Sequence, residues 1–489
     1  MLRCIEKLGK KAINERRMKF YTTNKDITSL SADAVVVFVH EEEKEPEYIK
    51  KFHVKDDGFK GKLGEVFLIQ TQGKLSYGKV FVVGLGKEKE LSAHDWQYVY
   101  SSIARRAKSS KVFSLVIPTT DPYNAVAGLG LGSYSFLIHK NKETQNEEHE
   151  IEKVTFVGKN IDKQKILDGV IATEATNFAR DLVNEPPSIT TPAYLAHIAK
   201  KFGAEIFGKK EMKEMGMNGI LAVAQGSHEE PKFIKLSYNG GGKKTITLVG
   251  KGITYDSGGL SLKPQSGLET MKCDMAGAAT ILGVFEALGK LKPHVNVVGL
   301  IAATENMPGG GAIKPGDVVC AMNGKTIEIV NTDAEGRIVL ADALAYAEKY
   351  IKSDVIIDLA TLTGACVVAL GEDIAGLFTD SETLGKQVLE DAARVGEKMW
   401  RMPIASEYEE QLKSDIADVR NVSKIKYGGA INGALFLKEF APKDTPWAHL
   451  DIAGPAFAEK DMTLSPYGGT GFGVRTMLSF ILKVAEEKR

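Results

Sequence analysis

The chain has 489 residues, 43% hydrophobic and 26% charged, with 49 glycines, a composition that fits a globular α/β protein and not a disordered one. Its 63 Lys and Arg balance 63 Asp and Glu, so no global field draws it to nucleic acid or to an anionic membrane. Four scattered cysteines, Cys4, Cys273, Cys320 and Cys366, form no CxxC pair, which argues against a disulfide framework or a thiolate zinc site, and no apolar run approaches the about 18 residues of a membrane span.

The first residues carry Arg3, Lys7, Lys10, Lys11, Arg16 and Arg17 without an apolar stretch, so they make no secretory signal. Residues 1–17 read as an extension, and the unpaired cysteines point to a reducing, cytoplasmic location. From 18 to 160, short apolar runs at 34–39, 66–70, 80–85, 112–117 and 154–157 alternate with helical patterns at 95–110 and 123–136. This is a self-contained α/β domain. It shows no chemistry: His40, His53 and His94 lack partners at metal-binding spacing, residues 41–43 and 56–57 read as solvated acidic loops, and Gly84-Leu85-Gly86 is a lone glycine turn.

Residues 141–153 read as a surface loop, and 163–182 as an amphipathic helix within a linker, 161–183, that stops before Pro186-Pro187 because two prolines cannot continue it. A second α/β series fills 184–489. Its strands are expected at 233–238, 246–249, 295–302, 327–330, 355–359 and 374–378, and its helices at 193–202, 275–288, 337–350, 383–395 and 433–440. Strands separated by helices imply a mostly parallel sheet covered on both faces. The fold class is therefore α/β, with a smaller N-terminal domain and a larger C-terminal one.

Three segments of the second domain concentrate charge at strand ends and helix starts. After the strand at 246–249 come Lys251, Asp256 and Lys263 among glycines; Asp274 precedes a helix of small residues; and Asn331-Thr332-Asp333-Ala334-Glu335-Gly336-Arg337 forms a strand-to-helix turn. Asp333 and Asp274 each have a plain reading as a helix N-cap, Glu335 as a solvated acid, and Arg337 as solvated or as a counter-charge to Asp333 and Glu335. Taken together, Asp256, Asp274, Asp333 and Glu335 in one crevice would repel each other and lose their hydration unless cations joined them. Oxygen donors without His or Cys suit Mg²⁺, Mn²⁺ or Zn²⁺, and two such ions about 3.5–4 Å apart can share a hydroxide and polarise a carbonyl or phosphoryl group. Peptide and phosphoester hydrolysis both remain open at this point.

Residues 331–338, 250–263 and 271–274, together with His449-Leu450-Asp451-Ile452-Ala453-Gly454 and Gly469-Thr470-Gly471-Phe472-Gly473, resemble the leucyl aminopeptidase family, also called cytosol aminopeptidases. The likeness spans the second domain; Ile338 stands where many members have leucine. The resemblance implies a metal-dependent aminopeptidase that releases N-terminal leucine and other apolar residues from peptides by attack of a metal-bridging hydroxide, in intracellular peptide turnover. It implies that Lys251, Asp256, Asp274 and Glu335 hold a tighter metal, and Asp256, Asp333 and Glu335 a more exchangeable one. Lys263 would donate to the forming oxyanion, and Arg337 would hold a bicarbonate acting as general base. Met271, Thr361, Gly364, Ala453 and Ala456 would line the side-chain pocket. Family members are homohexamers, and the same assembly is expected here. Cys273, with no histidine placed to activate it, reads as a buried small hydrophobe and not as a nucleophile.

Overall fold

The computed structural model describes residues 18–41, 58–88 and 90–486; the expected extension 1–17, His53 and residues 42–43 and 56–57 lie outside the described residues. The chain forms two compact units, one built on residues up to Glu174 with Asp461–Pro466, the other on Ala175–Lys460 with the residues from Tyr467 onward.

Among the described residues of the first unit, six strands lie in the order Lys19–Thr23, Lys153–Val157, Ser114–Pro118, Ala34–Val39, Lys79–Gly84, Val66–Gln70. All neighbours are parallel except Val66–Gln70, which pairs antiparallel with Lys79–Gly84. Along Ala34–Val39 successive side chains enter opposite cores: Val36 joins Phe81, Val83 and Ile117, while Val35 and Val37 join Val80, Val82 and Phe59. A strand buried on both faces needs a continuous apolar run, which is how it appears in the sequence. Helix Ala93–Ser109 covers the first core and starts at a capping box between Ser92 and Asp95. Two features differ from expectation. The edge strand Lys19–Thr23 has no buried residue and so no apolar signature. Residues 141–153 are not all loop, because Asn141 accepts from Thr144 N and starts the helix Lys142–Glu147.

In the second unit an eight-stranded sheet runs Lys398–Arg401, Ile374–Phe378, Trp447–Asp451, Val355–Ala360, Thr245–Asp256, Asn296–Asn306, Lys232–Asn239, Glu205–Phe207. Its four central strands are mutually parallel. Helices Gly336–Tyr350, Asn218–Val223 and Gly429–Lys438 contribute to the large core that includes Val249, Ile253, Leu300 and Ile356 of the sheet. Helix Ala276–Leu291, almost entirely buried, packs on the strands and against Val474–Glu486.

One expected member of this sheet lies elsewhere. Thr326–Glu328 pairs antiparallel with Val318–Cys320 and parallel with Val419–Arg420 in a separate three-stranded sheet, because the tight turn at Gly324 (φ 89°) folds it back on the preceding strand. Trp447–Asp451, absent from the expected series, occupies the sheet interior instead. Its polar residues hide it in the sequence, yet they find partners within the sheet: His449 stands opposite Asp358 in the register, with Nδ1 2.5 Å from Oδ1, and Trp447 Nε1 donates to Asp358 Oδ2 at 2.7 Å.

Candidate metal centre

Strand Thr245–Asp256 is long enough to carry two of the charged residues, Lys251 and Asp256, both nearly fully buried. Asp274 arrives from the short 3-10 turn Met271–Met275, and Glu335 from the residue before helix Gly336–Tyr350. Lys251 Nζ lies 2.8 Å from Asp274 Oδ1 and 2.9 Å from Glu335 Oε1, and it donates to Thr361 O at 2.9 Å. Gly336 permits this approach, since a Cβ there would stand 2.5 Å from Lys251 Cε and 2.6 Å from Nζ.

A second group adjoins the first. Lys263 Nζ lies 2.8 Å from Asp256 Oδ2 and 2.5 Å from Asp333 Oδ1. Oxygens of Asp256, Asp333 and Glu335 all lie within 4.8 Å of one another. Asp256 is oriented by Asn306, its cross-strand neighbour, whose Nδ2 donates to Oδ1 at 2.8 Å, and by Gly258 N at 2.9 Å. Gly258 has φ 84°, a left-handed conformation that costs a residue with a Cβ, and a Cβ there would stand 2.8 Å from Asp333 Oδ1.

The plain N-cap readings do not hold. The N-cap of helix Ala276–Leu291 is Met275, the N-cap of Gly336–Tyr350 is Glu335, and neither makes a side-chain cap hydrogen bond. The carboxylates of Asp274 and Asp333 point to the lysines instead of to helix amides. Arg337 does not neutralise the acids by contact: among the described residues it makes no ion pair, its Nη1 donating to Asn421 O at 2.7 Å and its guanidinium lying 6.0 Å from the Phe436 ring centroid. Burial lowers its pKa to about 10, against the opposing pull of Glu335 and Asp451.

On the protein charges alone, burial pushes Glu335 up to about 8, aided by the nearby Asp256, and Asp274 up to about 6. Asp333 is also raised, chiefly by burial. Burial disfavours the Lys251 and Lys263 ammonium groups, but the carboxylates around them outweigh it and hold both above the ordinary lysine value. Asp274 Oδ2 and Glu335 Oε2 are buried with no hydrogen-bond partner, a costly arrangement for carboxylates. Buried carboxylate oxygens without protein donors fit divalent cations, which would accept their lone pairs and relieve the repulsion among these acids.

The expected pocket residues divide. Thr361 belongs to the centre: its carbonyl accepts from Lys251, and its Oγ1 donates to Asp274 Oδ1 at 2.6 Å. Met271 opens the 3-10 turn that carries Asp274. Gly364 is exposed and starts helix Gly364–Leu370 behind the N-cap Thr363. Ala453 is joined to this turn through Asp451, whose buried carboxylate accepts from Leu362 N at 3.2 Å, Thr363 Oγ1 at 2.7 Å and Ala453 N at 3.2 Å. Ala456 is buried, and its backbone hydrogen bonds go to Ile452 and Thr470, not to the acidic cluster. Cys273 is buried and its thiol is pushed up to about 12 by burial, so it carries no thiolate at neutral pH. Sequence reasoning gives no role to Asn306, Asn421 or Asp451, although Asp451 lies in the 449–454 stretch that carries the resemblance; the three find partners 50 to 90 positions away that residue spacing does not reveal.

Comparison with known proteins gives the same assignment to both halves of the chain. The catalytic domain of the cytosol aminopeptidase family matches residues 177–478, and the N-terminal domain of that family matches 36–143. The probable cytosol aminopeptidase of Aquifex aeolicus is 42% identical over 495 residues, covering 96% of this chain and 99% of that protein. That of Geobacter sulfurreducens is 44% identical over 441 residues, 86% of this chain and 88% of its own. Among solved structures, a tomato leucine aminopeptidase mutant superposes with a TM-score of 0.87 at 33% identity, over 97% of this chain and 98% of that one. The bottromycin maturation enzyme BotP in complex with Mn does so at 0.84 and 34%, over 93% and 100%. With two domains matched in order and a buried carboxylate cluster suited to cations, this chain belongs to the cytosol aminopeptidase family and is a metal-dependent aminopeptidase.

Proposed function

We propose that this enzyme removes N-terminal leucine and other apolar residues from peptides, with Lys251, Asp256, Asp274 and Glu335 holding the tighter of two cations and Asp256, Asp333 and Glu335 the more exchangeable one. The observation that carries this reading is the convergence of Asp256, Asp333 and Glu335 within 4.8 Å beside Lys251, with carboxylate oxygens left unpartnered. Bound Mn²⁺ or Zn²⁺, with Mg²⁺ also suited to the donors, would supply Lewis acidity to activate a water and polarise the scissile carbonyl.

The chain's own residues do the rest. Lys263, kept protonated by Asp256 and Asp333, would donate to the carbonyl oxygen as negative charge develops on it. Lys251 serves as a ligand only once it has given up its proton, a change that adjacent dications favour. Arg337, with its Nε buried and unpartnered, offers a guanidinium edge to a planar anion such as bicarbonate, which would take the proton of the attacking water. The pocket of Met271, Thr361, Gly364, Ala453 and Ala456 offers small and apolar surface. Each methylene there is worth only about 1–3 kcal/mol, so a range of apolar residues is accepted. A homohexamer engaged in cytoplasmic peptide turnover completes the proposal, resting on family resemblance; among the described residues no helix is long and apolar enough to cross a membrane.

The test uses the full chain loaded with Mn²⁺. Leucine p-nitroanilide should be hydrolysed, N-acetyl-leucine p-nitroanilide should not, and p-nitrophenyl phosphate should be left intact. Turnover of the blocked substrate or of the phosphate ester would overturn the reading. A hexamer is expected by light scattering on the same sample.

A further inference from the structure

We propose that Asn421 is a positioning residue of the acidic turn, its side-chain amide holding the backbone from Val330 to Ala334 and its carbonyl holding Arg337, and that it thereby sets where Asp333 and Glu335 stand. This inference rests on the reading of Asp333 and Glu335 as metal ligands, and it adds a residue outside the ligand set.

Asn421 follows the short strand Val419–Arg420 and is fully buried. Its backbone N donates to Glu328 O at 3.0 Å, which locks it beside the strand that leads into the turn. Its Oδ1 accepts from Val330 N at 2.8 Å and Asn331 N at 3.4 Å, and its Nδ2 donates to Asn331 O at 2.7 Å and Ala334 O at 3.4 Å. A primary amide has two donor hydrogens and two acceptor sites; all four are directed to one stretch of backbone. The Asn421 carbonyl then accepts from Arg337 Nη1 at 2.7 Å. One residue thus grips the start, the middle and the end of the Val330-to-Arg337 segment.

The turn needs such a grip. Helix capping does not supply it, because Glu335 makes no side-chain cap bond. Repulsion among Asp256, Asp333 and Glu335 works to spread it. Elsewhere its backbone is tied through Thr332, whose Oγ1 donates to Gly258 O and whose carbonyl accepts from Asn306, and through Asn331 Oδ1, which accepts from Asp333 N, while Lys263 and Lys251 hold the carboxylates of Asp333 and Glu335. Asparagine also suits the place by chemistry: the isosteric aspartate would set a carboxylate oxygen against the carbonyls of Asn331 and Ala334, where a donor is required.

Asn421→Asp and Asn421→Ala decide the matter, with Asn421→Ser as the mildest change. Mn²⁺ binding to each full-length variant is followed by electron paramagnetic resonance and calorimetry, beside thermal unfolding of the chelated protein. The expected result is a loss of affinity at the weaker Mn²⁺ site by about tenfold to a hundredfold, the range for residues that orient metal ligands, with Asn421→Asp the most affected. In steady-state assays at saturating Mn²⁺, kcat should fall while KM for leucine p-nitroanilide stays within about twofold, since the pocket turn at Thr361 is held separately. Folded variants that bind two Mn²⁺ with wild-type affinity would overturn the proposal, and so would variants that all simply fail to fold. Wild-type protein that binds no second Mn²⁺ would instead remove the ligand reading beneath it.

Discussion

Lys251 Nζ stands 2.9 Å from Glu335 Oε1, nine-tenths or more of each side chain withdrawn from solvent. A cation on a β-strand and an anion at a helix start meet here because the residue after Glu335 has no side chain. The position of Gly336 is therefore as much a part of the centre as the charges are, and it yields a prediction with an unusual sign. At the start of a helix Gly→Ala ordinarily stabilises, by up to about 1 kcal/mol. Gly336→Ala should destabilise by about 1–3 kcal/mol, the range for overpacking, because the added methyl would meet Lys251 at 2.5–2.8 Å. Chemical denaturation with and without Mn²⁺ measures it; a stabilised variant would show that Lys251 can move aside freely.

Replacing Lys251 itself separates a ligand from an ion-pair partner. Lys251→Arg preserves the charge that faces Asp274 and Glu335 but cannot become a neutral donor. If Lys251 ligates, the variant should lose the tighter metal and at least about 100-fold in kcat/KM, at the upper end of what perturbed ligand shells cost. Elemental analysis on the protein used for kinetics checks both together. Full metal content with normal activity would return Lys251 to a purely electrostatic role.

Lys263 is expected to act later in the reaction. Lys263→Met should reduce kcat by about 10²–10³, the loss found when one oxyanion donor is removed, while Mn²⁺ content stays close to wild type. Metal loss in this variant would mean that Lys263 serves chiefly to hold Asp256 and Asp333 in place.

Much of this was legible from residue type and spacing. The alternation of apolar runs with helical periodicity located most strands of both sheets, and the charges at three turns marked the centre. The plain N-cap alternatives failed for a physical reason: a carboxylate at a helix start can cap only if it turns back to the amides, and Asp274 is instead drawn to Lys251 and Thr361. What stayed hidden was the support. Trp447–Asp451 looks too polar for a sheet interior until Asp358 is placed beside His449, and Asn306, Asn421 and Asp451 bind partners that only the fold brings near.

The paired acids also set a pH dependence. On the protein charges alone, Glu335 is raised from 4.5 to about 8 and Asp274 from 3.8 to about 6, burial being the main cause. A carboxyl whose pKa is higher in the folded state holds its proton there after the unfolded chain has released it. These two groups therefore favour folding most at low pH, and that contribution is lost as pH rises from about 4 through about 8. Cations held by these acids, as proposed, would reverse the trend, since binding would displace those protons and satisfy the freed charges. The difference in Tm between Mn²⁺-loaded and chelated protein should widen from pH 5 to about 8 and then level off, and Glu335→Gln should flatten the rise. A difference that stays constant with pH would contradict it.

Asp451 gives a prediction on the substrate side of the site. Its carboxylate collects Leu362 N, Thr363 Oγ1 and Ala453 N, so the turn that carries the Thr361 carbonyl and the segment that carries Ala453 are fastened to one anion. Bonds to a charged acceptor contribute about 1.5–3 kcal/mol each, so loss of the carboxylate should free both walls of the expected pocket. Asp451→Ala risks the fold because it leaves a hole on a buried strand, whereas Thr363→Val, at nearly constant volume, removes the bond to Asp451 together with the N-cap bond from Cys366 N. Thr363→Val should raise KM for leucine p-nitroanilide by about threefold to tenfold, on the order of 1 kcal/mol, and narrow the preference for leucine over alanine, with Mn²⁺ affinity little changed. The opposite split, unchanged KM with weakened Mn²⁺ binding, would show that Asp451 and Thr363 serve the cations through Thr361 and Asp274, and that the substrate side chain is gripped elsewhere.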